Sequence, residues 1–110
     1  MGTSKTEFFT NNQNDIASLL KALSHPARIT IFEYLLTVDT CICGDIVNQL
    51  PLAQPTVSQH LKELKKAGII KGTISGKAIC YCVDHLAVEK IKNYFASIVD
   101  KMEQKNNQCC

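Results

Sequence analysis

Cys41 and Cys43 flank a single isoleucine where a loop enters a helix, a spacing that lets two sulfurs act together. Unsatisfied N–H groups and the positive end of a helix dipole favour thiolate over thiol at such a position. Soft thiolates select soft ions, so the pair suits trivalent arsenic or antimony, or cadmium, lead or copper(I), ahead of magnesium or calcium. The competing reading is that one of the two fills space as a small buried hydrophobe, a common fate of cysteine. Cys80 and Cys82 alternate along a strand and share one face, opposite Ile79, Tyr81 and Val83. They read as packing ahead of a metal site, because a strand pair alone supplies only two ligands. Cys109 and Cys110 close the chain, either as ligands that fold back or as a tail with no role.

A second set of residues suits a different chemistry. In Gln54 to Gly68, Q-P-T-V-S-Q-H-L-K-E-L-K-K-A-G, Val57, Leu61 and Leu64 recur at i, i+4 and i+7 and must pack inward. Thr56, Ser58, Gln59, Lys62, Lys65 and Lys66 are left outside, joined by Gln54 at the start of the helix. Amides and hydroxyls can read base edges, and ammonium groups can hold phosphates. His60 stays open between reading a base and packing or hydrogen bonding inside the fold. The net charge is only +2, so a nucleic-acid footprint has to come from clustering. Lys62, Lys65, Lys66, Lys71 and Lys77 supply it, with Glu63 the one acidic residue among them. Lysines more commonly form a plain solvated face; the neighbouring elements favour DNA contact here.

Those elements are legible along the chain. Residues 1–14 lack periodicity and read as a flexible arm. Ile16, Leu19, Leu20 and Leu23 predict an amphipathic helix from Asp15 to about Ser24. Ser24-His25-Pro26 opens another, with Ile29, Phe32, Leu35 and Leu36 as its buried face. A short third helix is expected from about Cys43 to Leu50, followed by the tight Pro51-Leu52-Ala53-Gln54 connection of a helix-turn-helix. Gly68 ends the next helix as a left-handed cap. Two alternating runs around Ser75-Gly76 predict a β-hairpin, and Asp84 caps a long helix striped with Leu86, Val88, Ile91, Phe95, Ile98 and Met102.

The expected fold is mainly α with a small β-hairpin wing: a winged helix-turn-helix over residues 15–103, followed by a flexible cysteine-containing tail at 104–110. A chain of 110 residues with 45% hydrophobic content makes one ordinary domain. Lys77 in the wing turn would lie against the sugar-phosphate backbone. The apolar faces of the first and last helices exceed what so small a core can cover, which predicts a two-fold homodimer. Two recognition helices would then sit about one DNA turn, ~34 Å, apart on an inverted repeat.

Several function classes are disfavoured. No stretch approaches the ~18 apolar residues of a membrane span, and the N-terminus lacks the pattern of a signal peptide, so a cytoplasmic protein is expected. The six cysteines then point to metal, metalloid or oxidant chemistry instead of structural disulfides. A small thiol oxidoreductase would need C-x-x-C beside a βαβ unit, a phosphate-cradling glycine loop or a base for its nucleophile, and none is present. No catalytic residue is assigned, and a structural zinc module lacks its spaced second ligand pair.

Leu23 to Leu35 (L-S-H-P-A-R-I-T-I-F-E-Y-L), Cys41 to Ile46 (C-I-C-G-D-I), Gln54 to Ile70 and Gly76 to Val83 (G-K-A-I-C-Y-C-V) together resemble the ArsR/SmtB family of metal- and metalloid-responsive winged-helix repressors. The resemblance runs roughly from Asp15 to Met102 and is closest to the arsenic-sensing branch. It implies a homodimer that sits on double-stranded operator DNA and releases it when an inducer binds, with no obligatory cofactor. It also implies DNA contacts at Thr56, Ser58, Gln59 and His60. In the arsenite-sensing branch a C-x-C-D-x-C run supplies three thiolates, whereas this chain reads Cys41-Ile42-Cys43-Gly44-Asp45-Ile46. Either Cys109 or Cys110 completes a three-sulfur site, or two thiolates suffice for a methylated arsenical. A site completed by an N-terminal cysteine arm is disfavoured, since residues 1–40 hold no cysteine, and so is a zinc site on the last helix, where the family's paired histidines would fall near Leu86 and Ser97. A repressor of the same fold whose cysteines oxidise to a disulfide or polysulfide is the alternative.

Overall fold

The computed structural model describes residues 8–38, 42–43, 50–75 and 78–105, with 42, 43, 74, 75 and 78 described by backbone alone. Helix α1 (Asn11–Leu23) starts ahead of the Asp15 that its apolar spacing predicts. A capping box makes the difference: the Gln13 N–H donates to Thr10 Oγ1 and the Thr10 N–H donates to Gln13 Oε1, each at 3.0 Å. Such a cap is built from polar residues, so hydrophobic periodicity does not register it.

Helix α2 (Pro26–Leu36) is capped by His25, whose Nδ1 accepts the Ala27 N–H at 3.0 Å, while Pro26 supplies the preset backbone of the first turn. Its buried face differs from expectation. Ile31 and Leu35 are inside and Phe32 is partly covered, whereas Ile29 and Leu36 remain 43% and 54% exposed. Apolar residues run all round this helix, so its sequence alone cannot choose the face.

Strand β1 (Ile42–Cys43) is a further departure, because Cys43 stands in a strand and not at the start of a helix. Residues 44–49, most of the expected third helix, lie outside the described residues. Helix α3 (Gln54–Lys66) follows, then β2 (Ile70–Ser75), β3 (Ala78–Val83) and α4 (His85–Gln104). The sheet is antiparallel in the order β1-β3-β2, so the hairpin gains a third strand. Ser75 pairs with Ala78, which makes Gly76 and Lys77 the two-residue connection, one position on from the predicted Ser75-Gly76 turn. Those two residues lie outside the described ones.

Where α3 stops is fixed locally. Gly68 adopts φ +85°, the Gly68 N–H donates to the Lys65 carbonyl at 3.0 Å, and the Ile69 N–H donates to the Leu64 carbonyl at 3.0 Å. This is a Schellman cap, and the apolar contact that accompanies it falls to Leu64 and Ile69, both fully buried. The chain therefore leaves the helix aimed into β2.

One core unites the elements: Ile16 and Leu19 from α1, Ile31 and Leu35 from α2, Val57, Leu61 and Leu64 from α3, then Ile69, Ile70 and Ala87. Each large aliphatic side chain so buried contributes about 1.5–3 kcal/mol. Helix α4, capped by Asp84 Oδ1 accepting the Leu86 N–H at 2.8 Å, packs beside α1 yet buries only Ala87 completely. Phe95, Ile98, Val99 and Met102 are 41–54% exposed along it.

Candidate functional site

Helix α3 separates its two chemistries by periodicity. Val57, His60, Leu61 and Leu64 are buried, while Gln54, Thr56, Ser58, Gln59, Lys62, Lys65 and Lys66 are exposed on the remaining surface. Every exposed member of the predicted contact set on this helix is thus free to meet an outside partner. The face is not entirely loose: Gln59 Nε2 donates to Glu63 Oε2 at 3.3 Å. At its N-terminus Ala53 provides no side-chain cap, and the Thr56 and Val57 N–H groups donate to the Ala53 carbonyl at 3.0 and 3.1 Å.

His60, expected either to read a base or to pack inside the fold, is the exception in facing inward. It is 9% exposed, accepts the Arg28 Nε–H at Nδ1 over 3.1 Å, and meets the His25 ring at a centroid distance of 4.5 Å. Burial pushes its pKa below the usual 6.5, and the nearby His25 and Arg28 charges push the same way. A neutral imidazole is what Arg28 needs as acceptor. The sequence held a signal for this: positions 57, 60, 61 and 64 complete an i, i+3, i+4, i+7 seam. Arg28 also donates through Nη1 to the Ala22 carbonyl at 3.4 Å, so one guanidinium ties the ends of α1 and α2 to α3. Sequence reasoning did not single out Arg28 or His25 for this role.

Behind α3 lies the sheet. An added Cβ at Gly72 in β2 would come within 3.3 Å of Lys65 Nζ and 3.2 Å of Ile79 Cγ2, so the missing side chain lets Lys65 lie across the strand. Lys71 is exposed beside it, and Lys77 falls outside the described residues.

Among the cysteines, Cys43 and Cys80 share a register position of the sheet. Cys43 in β1 is the Cα partner of Cys80 in β3, and Ile42 that of Tyr81. Cys80 is buried at 6% exposure and is disulfide-bonded. Cys82 is half-buried and keeps a thiol. Cys41, Cys109 and Cys110 lie outside the described residues. Among the described residues no group of three or more His, Cys, Asp or Glu is placed to hold a metal ion, and no helix is long and apolar enough to cross a membrane.

Residues 25–71 match the family described as bacterial regulatory protein, arsR family. The chain is 44% identical over 68 residues to the HTH-type transcriptional repressor SmtB of Mycobacterium tuberculosis, covering 61% of this chain and 50% of that one. It therefore spans about half the length of that relative. It is 34% identical over 89 residues to the cadmium resistance transcriptional regulatory protein CadC homolog of Staphylococcus aureus, covering 79% and 72% of the two chains. Among solved structures, the transcriptional repressor BigR from Xylella fastidiosa superposes with a TM-score of 0.62 at 29% identity, over 89% of this chain and 96% of that one. On the winged-helix architecture, the matched segment and the coverage of these relatives, the chain belongs to the arsR family of bacterial regulatory proteins.

Proposed function

We propose that this chain is a cytoplasmic, DNA-binding transcriptional repressor that releases its operator when trivalent arsenic or antimony, inorganic or methylated, binds cysteine thiolates. The observation that carries the DNA-binding part is α3, whose apolar seam is buried while its amides, hydroxyls and lysines face outward. Gln54, Thr56, Ser58 and Gln59 read base edges, whereas Lys62, Lys65, Lys66 and Lys77 hold phosphates. It acts as a homodimer on an inverted repeat, its partner covering the exposed stripe of α4. No catalytic chemistry is assigned to it.

Cys41 and Cys43 supply the inducer's thiolates. Support comes from Cys43 standing in β1, near the start of the segment that leads into α3, and from the family's relatives, one of which is named for cadmium resistance. Cys109 or Cys110 completes a three-sulfur site, ahead of Cys80 and Cys82, or two thiolates suffice for a methylated arsenical. An ion that prefers an arrangement of sulfurs different from the one that suits operator spacing weakens DNA affinity by its differential binding. A hundredfold loss needs only ~2.7 kcal/mol of such coupling.

The test is fluorescence anisotropy of a labelled fragment of the chain's own promoter, titrated with arsenite, antimonite, methylarsenite, cadmium, zinc and a polysulfide donor under controlled reduction. Release by the arsenic and antimony species supports the proposal. Release by polysulfide alone replaces it with a redox sensor.

A further inference from the structure

His60 sits in the inward seam of α3 between two other basic side chains, Arg28 of α2 and His25, the cap of that helix. One guanidinium joins three helices there: Arg28 Nε donates to His60 Nδ1 at 3.1 Å, and Nη1 donates to the Ala22 carbonyl of α1 at 3.4 Å. His25 offers His60 no acceptor, because its own Nδ1 already accepts the Ala27 N–H at 3.0 Å and a neutral ring of that form carries its proton on Nε2. A proton on His60 Nδ1 therefore sets donor against donor, and adds a cation where the His25 and Arg28 charges already oppose one.

Arg28 has room to leave. It lines a cleft of about 630 Å³ with Asp15 and Lys21 of α1, Glu63 and Lys66 of α3, and Asp84 and Lys90 from the cap and body of α4. The three carboxylates give the guanidinium charged acceptors once the ring no longer accepts. Glu63, one turn from His60, also accepts the Gln59 side-chain amide at 3.3 Å, so a guanidinium arriving there competes with a residue proposed to read bases.

We propose that Arg28 and His60 are positioning residues for operator binding, a proton-sensitive latch whose neutral form holds α3 in its DNA-competent setting and whose protonated form frees it. The proposal rests on the reading of α3 as the DNA-contacting helix. With the latch closed, α3 meets DNA already fixed against α1 and α2, and little ordering is left to binding. With it open, that ordering falls on complex formation and affinity drops. The direction is the reverse of the ordinary one: acidification adds charge to exposed imidazoles and strengthens phosphate binding. Because burial holds the His60 pKa below 6.5, binding is level above that pH and weakens as pH falls toward the depressed value.

Fluorescence anisotropy of the labelled promoter fragment at constant ionic strength tests this, with circular dichroism checking the fold at each pH. Wild-type affinity is expected to stay level from about pH 8 to about pH 7 and to fall about tenfold by about pH 5, since each proton coupled to binding contributes up to about tenfold per pH unit. His60→Asn, whose amide oxygen can accept from Arg28 and takes up no proton, should lose the fall whatever its affinity at neutral pH. Arg28→Ala should lose it too. The wild type alone gives a second reading: by linkage, an NMR titration of the His60 ring should show the promoter fragment lowering its pKa. Equal slopes in wild type and His60→Asn, binding that strengthens on acidification, or a His60 pKa indifferent to the fragment overturns the latch. Lys62→Ala and Gln59→Ala, measured alongside at neutral pH, separate the two readings. If neither weakens binding, the reading of α3 fails and the latch with it; weakened binding beside a flat wild-type profile removes the latch alone.

Discussion

Arg28 Nε donates to His60 Nδ1 at 3.1 Å, a bond that joins the start of α2 to the inward face of the helix proposed to read DNA. The bond requires a neutral imidazole, and burial, followed by the His25 and Arg28 charges, holds the His60 pKa below 6.5. The unfolded chain takes up this proton near 6.5 while the folded chain resists it. Stability from this group is thus complete above the unfolded pKa and is lost as pH falls through 6.5 toward the depressed folded value. Urea midpoints measured from about pH 8 to about pH 5 should fall for the wild type and fall less steeply for His60→Asn. Parallel curves would remove His60 as the titrating group. Arg28→Ala, which leaves the buried nitrogen without its donor, should cost about 1–3 kcal/mol.

Gly68 offers a cleaner backbone test. An added Cβ there meets nothing within 4 Å, so the cost of Gly68→Ala comes from φ +85° alone. The expected loss is about 1–2 kcal/mol by denaturant unfolding. A neutral result would mean that the exit of α3 relaxes without penalty.

Lys62 and Gln59 are both exposed on α3 but should fail differently. Lys62→Ala should weaken binding similarly on all DNA sequences and lower the salt slope by about 1. Gln59→Ala should relax preference at one base position, at about 1–3 kcal/mol, and leave the salt slope alone. Binding curves over a salt series on operator and scrambled DNA separate the two; identical behaviour would contradict the division between reading and holding.

The exposed stripe of α4 predicts assembly. Phe95 and Met102 are 46% and 54% exposed in a helix that buries only Ala87 completely. Replacing both with glutamate should give a monomer by sedimentation and weaken operator binding, while thermal unfolding stays cooperative. A dimer that survives the double change would place the interface elsewhere.

Much of this fold could be read from the chain because its signals are local. Val57, Leu61 and Leu64 mark the inner face of α3, Gly68 its end, and Asp84 the start of α4. β1 was not legible, since two residues carry no period and their pairing with Tyr81 and Cys80 is a long-range event. The same pairing hid the relation between Cys43 and Cys80, which lie far apart in sequence. The start of α1 escaped because Thr10 and Gln13 signal by capping and not by hydrophobicity. The inward turn of His60 was encoded in helical spacing, but a polar side chain among recognition residues reads equally well as a contact.

The most direct test of the central claim is operator release by arsenite from reduced wild-type, Cys41→Ser and Cys43→Ser protein, followed by anisotropy. All three should bind the operator alike, and only the wild type should let go as arsenite is added. Normal release from both variants would contradict the account and move the inducer site away from these sulfurs.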